Sequence, residues 1–172
     1  MRKFVKTLCG FRIAALKILD LPMTDIAANH WSVTGRGVPG YRAASSSNYI
    51  AGRNLSLLVK TAVFCAHQRI GEIAMAPLNG NPFPDARPQF FRAAERAIAL
   101  GVGLPLRIRV PFVGLSKAQV IRRGRGLALG FTLSCARPRG LVHCGACTKC
   151  AERIAAFTAA GVTDPTRYRA AR

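Results

Sequence analysis

Acidic residues are scarce in this sequence, with 7 aspartates and glutamates against 26 lysines and arginines in 172 residues. The net charge is +19, and Glu72, Asp85 and Glu95 are almost the only acids in the middle of the chain. Such a surface attracts anions: nucleic acid, nucleotide phosphates or acidic protein. The arginines are spread along the whole chain rather than gathered in one arm, so compositional bias is the alternative explanation. Nucleic-acid binding is therefore not the favoured main function.

Long hydrophobic runs are also missing. Arg12 and Lys17 interrupt the apolar stretch that follows the basic first residues. We therefore expect no signal peptide and no membrane span, and a cytoplasmic protein. Half of the residues are hydrophobic, which excludes disorder, and 172 residues suit one domain with a genuine core. No internal repeat or low-complexity segment is present.

Cysteine is concentrated in one place, since four of the six cysteines fall within sixteen residues with the spacing C-x8-C-x2-C-x2-C. They are Cys135, Cys144, Cys147 and Cys150. Four thiolates close a tetrahedron around zinc and leave no position for water, so the pattern predicts structural zinc. A disulfide pair, an iron–sulfur cluster and idle thiols are the alternatives. The disulfide is disfavoured because nothing marks secretion and Cys9 and Cys65 lie far away. His143 is expected to support the site or face the surface rather than to replace a sulfur ligand.

The apolar patterns alternate between strands and helices. Short apolar runs predict strands at 13–21, 72–77 and 106–111, and helical patterns predict helices at 1–10, 55–69, 88–101, 116–123 and 148–160. This order is typical of an α/β fold with a parallel sheet and crossover helices, in which ligands bind at the carboxyl ends of the strands. The loops 21–54 and 78–88 follow strands, so we expect both at that rim.

Two of these helices carry more detailed expectations. Apolar residues surround most of helix 55–69, which predicts a largely buried helix with Asn54 as its cap, Cys65 in its packing and His67 at its surface edge. Helix 88–101 is predicted to begin at Pro88 and to end at Gly101.

Five features share an order along the chain that resembles 7-cyano-7-deazaguanine synthase, also called the ExsB family, over roughly residues 13–166. They are Gly52-Arg53-Asn54, the Asn-rich loop 79–90, the segment 115–120 (Leu-Ser-Lys-Ala-Gln-Val), the four-cysteine pattern and the closing Gly-Val-Thr-Asp-Pro at 161–165. The cysteine pattern and the final Asp-Pro are the most specific of these features.

The resemblance implies a particular fold and chemistry. The fold is a Rossmann-like adenine-nucleotide α-hydrolase of the PP-loop type, with residues 1–130 as a partial α/β domain and 131–172 as a zinc-binding segment packed on it. Family members use ATP with Mg²⁺ to activate the carboxylate of 7-carboxy-7-deazaguanine as an adenylate. Ammonia then gives the amide, and a second activation gives the nitrile. The implied partners are a purine-like small molecule and ammonia, and a homodimer is left open.

One element of the family is missing from the sequence. The family's phosphate loop, Ser-Gly-Gly-x-Asp-Ser after the first strand, does not occur. The runs at 35–37 and 44–47 neither follow a strand nor open a helix, so neither replaces it. We therefore expect the chain to begin after the family's first strand, loop and helix. Gln119, where the family often has Glu, and Ala86, where it often has Cys or Thr, are smaller departures.

The missing loop leaves three hypotheses for function. The first is an ATP-dependent nitrile-forming ligase present as an N-terminally incomplete copy, whose activity on its own is left open. The second is a non-catalytic, zinc-stabilised module that binds nucleic acid or a purine-like ligand. The third is a complex in which a separate chain supplies the loop, and it is disfavoured because a split sheet exposes strand edges.

The resemblance also carries site residues, each with an ordinary structural alternative. Lys117 would stabilise the adenylate, or else face solvent in the first turn of a helix. Arg53 would pair with a phosphate or carboxylate, or lie on the surface. Asp85 would bind the guanidine-like edge of a deazaguanine, or form a turn. The remaining candidates for substrate or cofactor binding are Asn54, Asn79 and Arg87.

Overall fold

The computed structural model describes residues 2–8 and 10–169. Met1 and Cys9, which fall within the predicted first helix, lie outside the described residues. The chain divides into two compact units. The cysteine unit holds the described residues up to Ile18, Met23–Asn48 and those from Lys117 onward, and the sheet unit holds Leu19–Pro22 and Tyr49–Ser116. The predicted boundary near residue 130 stays a prediction.

The described chain contains six helices and two strands. In chain order they are α1 (Arg2–Val5), α2 (Trp31–Thr34), α3 (Arg53–His67), β1 (Glu72–Ala74), α4 (Pro88–Val102), β2 (Arg107–Arg109), α5 (Lys117–Arg123) and α6 (Thr148–Ala160). Short 3-10 helices lie at Ser45–Asn48, Pro84–Ala86 and Leu129–Phe131. None of these helices is both long and apolar enough to cross a membrane.

The two strands pair in parallel, with Ile73 opposite Ile108 at the centre of the register. They are joined through α4, so the unit is a β–α–β crossover of the kind the sequence predicts. The amide of Arg107 donates to the Gly71 carbonyl (2.9 Å), and the amide of Met75 donates to the Arg109 carbonyl (2.8 Å). The predicted α/β class with a parallel sheet is confirmed at this level.

The core of the sheet unit lies between this sheet and one face each of α3 and α4. Its buried members are Leu58, Ala62, Cys65, Ile73, Phe91, Ala94, Ile98, Leu106 and Ile108. The helical members recur three or four residues apart, as expected for side chains on a single face.

The prediction of a largely buried helix at 55–69 is wrong. The opposite side of α3 exposes its apolar residues, with Leu55 at 44%, Val59 at 46% and Val63 at 46% of their accessible surface. Among the described residues of the sheet unit, α3 packs against α4, β1 and the 3-10 turn at Pro84–Ala86. Burial therefore reaches only the face that these elements cover. Cys65 is buried and His67 is exposed, as predicted.

The strand predicted at 13–21 is absent as well. These residues have no regular structure, and Ile13, Leu16 and Ile18 expose 47%, 45% and 60% of their surface. A strand requires backbone partners on a neighbouring strand. No ladder hydrogen bond joins 13–21 to another part of the described chain, so the apolar run alone does not make one.

Helix α4 begins at Pro88 as predicted but continues past Gly101. It ends at Gly103, which has φ +67° and whose amide donates back to the Leu100 carbonyl. Glycine adopts this left-handed conformation without the penalty that a Cβ imposes, so the second of the two glycines ends the helix.

In the cysteine unit, α5 and α6 pack together. The guanidinium of Arg122 donates to the carbonyls of Ala159 (2.7 Å) and Ala160 (3.0 Å), in the last turn of α6, where carbonyls have no partner within the helix. Helix α6 begins and ends where the sequence predicts, with Gly161 (φ +64°) as its C-cap.

Candidate functional site

The four clustered cysteines come together in space. Their sulfur atoms all lie within 4.8 Å of one another, and all four residues are buried. The sulfur of Cys150 is 3.5 Å from that of Cys147 and 3.9 Å from that of Cys144. A tetrahedral zinc ion with Zn–S bonds of about 2.3 Å places its sulfurs about 3.8 Å apart. The arrangement fits a metal ion, and the described cysteines form no disulfide.

Backbone amides point at two of these sulfurs. The sulfur of Cys135 accepts hydrogen bonds from the amides of Arg137 (3.3 Å) and Cys144 (3.1 Å). The sulfur of Cys144 accepts one from the amide of Ala146 (3.4 Å). Such bonds favour the thiolate, which is the form that binds metal.

The eight-residue gap returns to the cluster through a tight turn. Arg139 and Val142 exchange two backbone hydrogen bonds of 3.0 Å each. Gly140, between them, has φ +59°, and Gly145 has φ +71° just after Cys144. These left-handed positions explain why glycines accompany the cysteines.

Helix α6 begins within the cysteine cluster. Cys147 is its N-cap residue and Cys150 lies in its first turn. Negative charge on these sulfurs therefore meets the positive end of the helix dipole. Burial opposes ionisation of Cys144, but its bonds from Ala146 and the neighbouring thiols outweigh burial and lower its pKa to about 6. Burial raises the pKa of Cys150, so a bound metal ion would displace that proton.

A segment of the long N-terminal loop closes over this helix start. Gly40 forms an antiparallel bridge with Cys147. The amide of Thr148 donates to the Pro39 carbonyl, and its hydroxyl donates to the Ala43 carbonyl, both at 3.3 Å. The loop that the sequence assigns to ligand binding thus packs, at 39–43, against the cysteine cluster.

His143 is fully buried beside the cluster but is not one of the four grouped ligands. The rings of His143 and Tyr168 are nearly perpendicular, with centroids 5.8 Å apart. Burial, followed by the charge of Arg153, lowers the pKa of His143, which keeps the imidazole neutral.

Arg153 is a structural centre that the sequence reasoning missed. It is 6% exposed, and its guanidinium donates to the hydroxyls of Thr166 (2.6 Å), Thr132 (3.0 Å) and Ser134 (3.2 Å) and to the Leu129 carbonyl (3.0 Å). It also lies 5.0 Å from the ring centroid of Phe157 and 3.7 Å from Asp164. Its burial could have been predicted from its position in α6, three, four and seven residues before Ala156, Phe157 and Ala160, which places it on the apolar face of the helix.

Asp164, the aspartate of the Asp-Pro pair at 164–165, forms contacts close to Arg153. Asp164 accepts hydrogen bonds from the Tyr168 hydroxyl (2.6 Å) and the Thr166 amide (3.0 Å). These bonds fold the tail back toward Arg153.

Lys117, the predicted catalytic residue, is the first residue of α5 and forms an ion pair. Its ammonium lies 2.7 Å from one carboxylate oxygen of Glu152, whose other oxygen is 2.7 Å from Lys149. Burial alone would raise the pKa of Glu152, but hydrogen bonds and charges from both lysines lower it. The catalytic assignment of Lys117 stays a prediction.

Asn54 and Asp85 are brought together in the sheet unit. The Asn54 amide donates to the Asp85 carboxylate, and the Asn54 side chain donates to the Asp85 carbonyl, both at 2.9 Å. Asn54 is therefore not the N-cap: α3 begins at Arg53 after Gly52 (φ +68°). The carboxylate of Asp85, 8% exposed, takes over the capping role from a distant turn.

The other candidate binding residues lie in the same unit. Arg53 is the first residue of α3. Asn79 is exposed and its backbone amide donates to the Leu115 carbonyl (2.9 Å). Arg87 is exposed, with its guanidinium 3.5 Å from the Pro82 carbonyl. Their binding roles stay predictions.

Comparison with known proteins points to one family. The family model described as queuosine biosynthesis protein QueC matches residues 3–161. The 7-cyano-7-deazaguanine synthase of Anaeromyxobacter sp. (strain Fw109-5) is 37% identical over 147 residues, which cover 77% of this chain and 62% of that protein. The synthase of the same name from Rhizobium etli is 37% identical over 172 residues, covering 91% of this chain and 72% of the relative.

Coverage of the relatives differs. A synthase from Anaeromyxobacter dehalogenans is matched over 55% of its length, and that from Caldicellulosiruptor bescii, 29% identical, over 78%. The chain thus spans less than two thirds of the two Anaeromyxobacter proteins. Since the family model covers nearly the whole chain, this protein belongs to the QueC family of queuosine biosynthesis proteins.

Proposed function

We propose that this chain takes part in the ATP-dependent conversion of 7-carboxy-7-deazaguanine and ammonia into 7-cyano-7-deazaguanine. The observation that carries the proposal is the QueC family match over residues 3–161, together with relatives named 7-cyano-7-deazaguanine synthase. The parallel β–α–β unit is consistent with a PP-loop type fold, which we propose with it.

Zinc is the metal we propose for the four cysteines. An all-sulfur, buried set of four ligands suits a closed tetrahedral shell, so the ion would hold the loop and the start of α6 rather than activate water. The family chemistry needs only ATP and Mg²⁺ for activation.

In this reaction the substrate carboxylate attacks the α-phosphorus of ATP and releases pyrophosphate. Ammonia then displaces AMP to form the amide. The amide oxygen attacks the α-phosphorus of a second ATP and releases pyrophosphate, and elimination of AMP with loss of the N–H protons gives the nitrile. We propose that Lys117 supplies positive charge to the adenylate. Its pairing with Glu152 at 2.7 Å would hold the ammonium in one place, and its partly exposed side chain leaves it accessible to ligand.

We also propose that the substrate binds near the start of α3. Asp85 and Asn54 are already joined there, and Arg53, Asn79 and Arg87 belong to the same unit. The free lone pairs of the Asp85 carboxylate would accept hydrogen bonds from the amino and ring N–H groups of a deazaguanine. Arg53 and Arg87 would pair with its carboxylate or with phosphate.

The test is turnover by the zinc-loaded chain with 7-carboxy-7-deazaguanine, ATP, Mg²⁺ and ammonium. We expect substrate-dependent pyrophosphate release and the nitrile product by mass spectrometry. Lys117→Ala should lower both, while Lys60→Ala, which removes an exposed lysine from α3, should not. Failure to release pyrophosphate, in a protein that is folded and zinc-loaded, would refute the proposal for this chain.

A further inference from the structure

Three exposed arginines line a concave surface beside the cysteine cluster. They are Arg137, Arg139 and Arg169, and with Pro138, Cys144 and Ala146 they line an open cavity of about 540 Å³. We call these three arginines the arginine cradle. None of the three arginines is among the residues that we propose for the synthase reaction.

The cradle is held in place by backbone pairing. Arg139 exchanges two hydrogen bonds with Val142, and the amide of Arg169 donates to the His143 carbonyl (2.8 Å). The guanidinium of Arg169 also donates to the Arg137 carbonyl at 2.6 Å. The arginines therefore project from an ordered surface, which lowers the entropy lost when a ligand binds.

Among the residues that the structure describes, no acidic side chain lines the cradle. The same unit holds three acids. Asp164 is bonded to Tyr168 and Thr166, Glu152 is occupied by two lysines, and Asp25 is not among the residues that line the cavity. Within residues 2–8 and 10–169, the side chains of Arg137 and Arg139 form no ion pair. Like charges held close together without a counter-charge create a strong local attraction for anions.

We propose that the arginine cradle binds the phosphate backbone of a nucleic acid. A guanidinium pairs with phosphate through two parallel hydrogen bonds, and the cradle presents three guanidinium groups and no lysine. The cavity is open rather than enclosed, whereas a small anion gains most from an enclosing pocket. A nucleic acid offers a phosphate at every nucleotide, and the net charge of +19 strengthens its approach.

The test measures binding of a fluorescein-labelled single-stranded RNA by anisotropy over a range of salt concentrations. The cradle variant is Arg137→Gln/Arg139→Gln/Arg169→Gln. The matched control is Arg92→Gln/Arg96→Gln/Arg107→Gln, which removes the same charge from exposed arginines of the sheet unit.

We expect the cradle variant to bind the RNA at least tenfold more weakly. The slope of log K against log salt is negative, and its magnitude should fall by about 2, since each single-strand phosphate contact contributes about 0.7. The control should keep most of the affinity and the slope. Equal losses in the two variants would mean diffuse attraction by net charge and would overturn the proposal.

Two further outcomes separate the cradle from its alternatives. If the arginines instead balance the charge of the metal-bound thiolates, the cradle variant will lose zinc and melt earlier, and the proposal fails. If polyglutamate displaces the RNA at equal charge concentration, the surface serves acidic polypeptides and the proposal also fails. Retained zinc and melting temperature with lost RNA binding, unaffected by polyglutamate, supports it.

Discussion

Asn54 and Asp85 form two hydrogen bonds of 2.9 Å with each other. The backbone amide of Asn54 donates to the carboxylate of Asp85, and the side-chain amide of Asn54 donates to the backbone carbonyl of Asp85. The pair ties the first turn of α3 to the 3-10 helix that precedes α4. A residue 31 positions away in sequence thus satisfies an amide at the start of the helix.

This relationship predicts the effect of removing the carboxylate. Asp85→Ala should lower the free energy of unfolding by about 1–3 kcal/mol, because the half-buried backbone amide of Asn54 loses its acceptor. Asp85→Asn keeps an oxygen acceptor and should cost less. Urea unfolding measures both. Equal stability of Asp85→Ala and the parent would contradict the capping role.

Removing one cysteine ligand should release the metal. Cys147→Ala should lose zinc and melt at a lower temperature, because the start of α6 is then no longer anchored. Cys65→Ala is the matched control: its thiol is buried in the core of the sheet unit, so it should lower stability and leave zinc content unchanged. Metal analysis and thermal melts provide the readouts. A Cys147→Ala protein that kept both would refute the zinc assignment.

Arg153 should matter more to stability than any exposed arginine nearby. Arg153→Met removes a buried guanidinium and leaves several half-buried acceptors and the Asp164 carboxylate without their partner, so we expect a loss of about 3–5 kcal/mol. Arg123→Met, an exposed position on α5, should change stability by less than about 0.5 kcal/mol. Chemical denaturation of the two variants tests the difference, and similar values would remove Arg153 from its structural role.

The raised pKa of Tyr168 predicts that the free energy of unfolding depends on pH in the alkaline range. Burial, reinforced by the hydrogen bond to Asp164, raises the pKa of Tyr168 above its ordinary value of 10.0. The folded protein therefore holds this proton more tightly than the unfolded chain does. Its contribution to stability is complete below pH 10.0 and declines as the pH rises toward the folded pKa.

Comparison with Tyr168→Phe isolates this effect. The stability difference between the parent and the variant should be constant at neutral pH and should shrink above about pH 10. Urea unfolding at a series of pH values measures it. A difference that stays constant into strong alkali would show that Tyr168 ionises as freely when folded as when unfolded.

The sequence predicted best what local pattern determines. The bounds of α6 follow from local spacing and a capping glycine. The existence of β1 and β2, within the segments predicted at 72–77 and 106–111, follows from two short apolar runs. The grouping of four sulfurs follows from ligand spacing alone. These features depend on few residues close together in the chain.

What the sequence missed depends on partners that local pattern does not reveal. The apolar run 13–21 looks like a strand until its lack of a neighbour is known. The apolar circumference of α3 does not say which side other elements cover. Asn54 matches a cap by residue type, yet the capping oxygen belongs to Asp85.

The hydrogen bond from the Thr148 hydroxyl to the Ala43 carbonyl joins residues 105 positions apart, so the order of synthesis limits when it can form. A ribosome that adds about 5–20 residues per second completes the Tyr49–Ser116 segment seconds before Thr148 can emerge. During these seconds residues 39–43 have been synthesised, but Cys147 and Thr148, with which they pair in the folded protein, have not. Metal capture and formation of this hydrogen bond therefore follow the synthesis of the whole Tyr49–Ser116 segment, which contains the β–α–β unit.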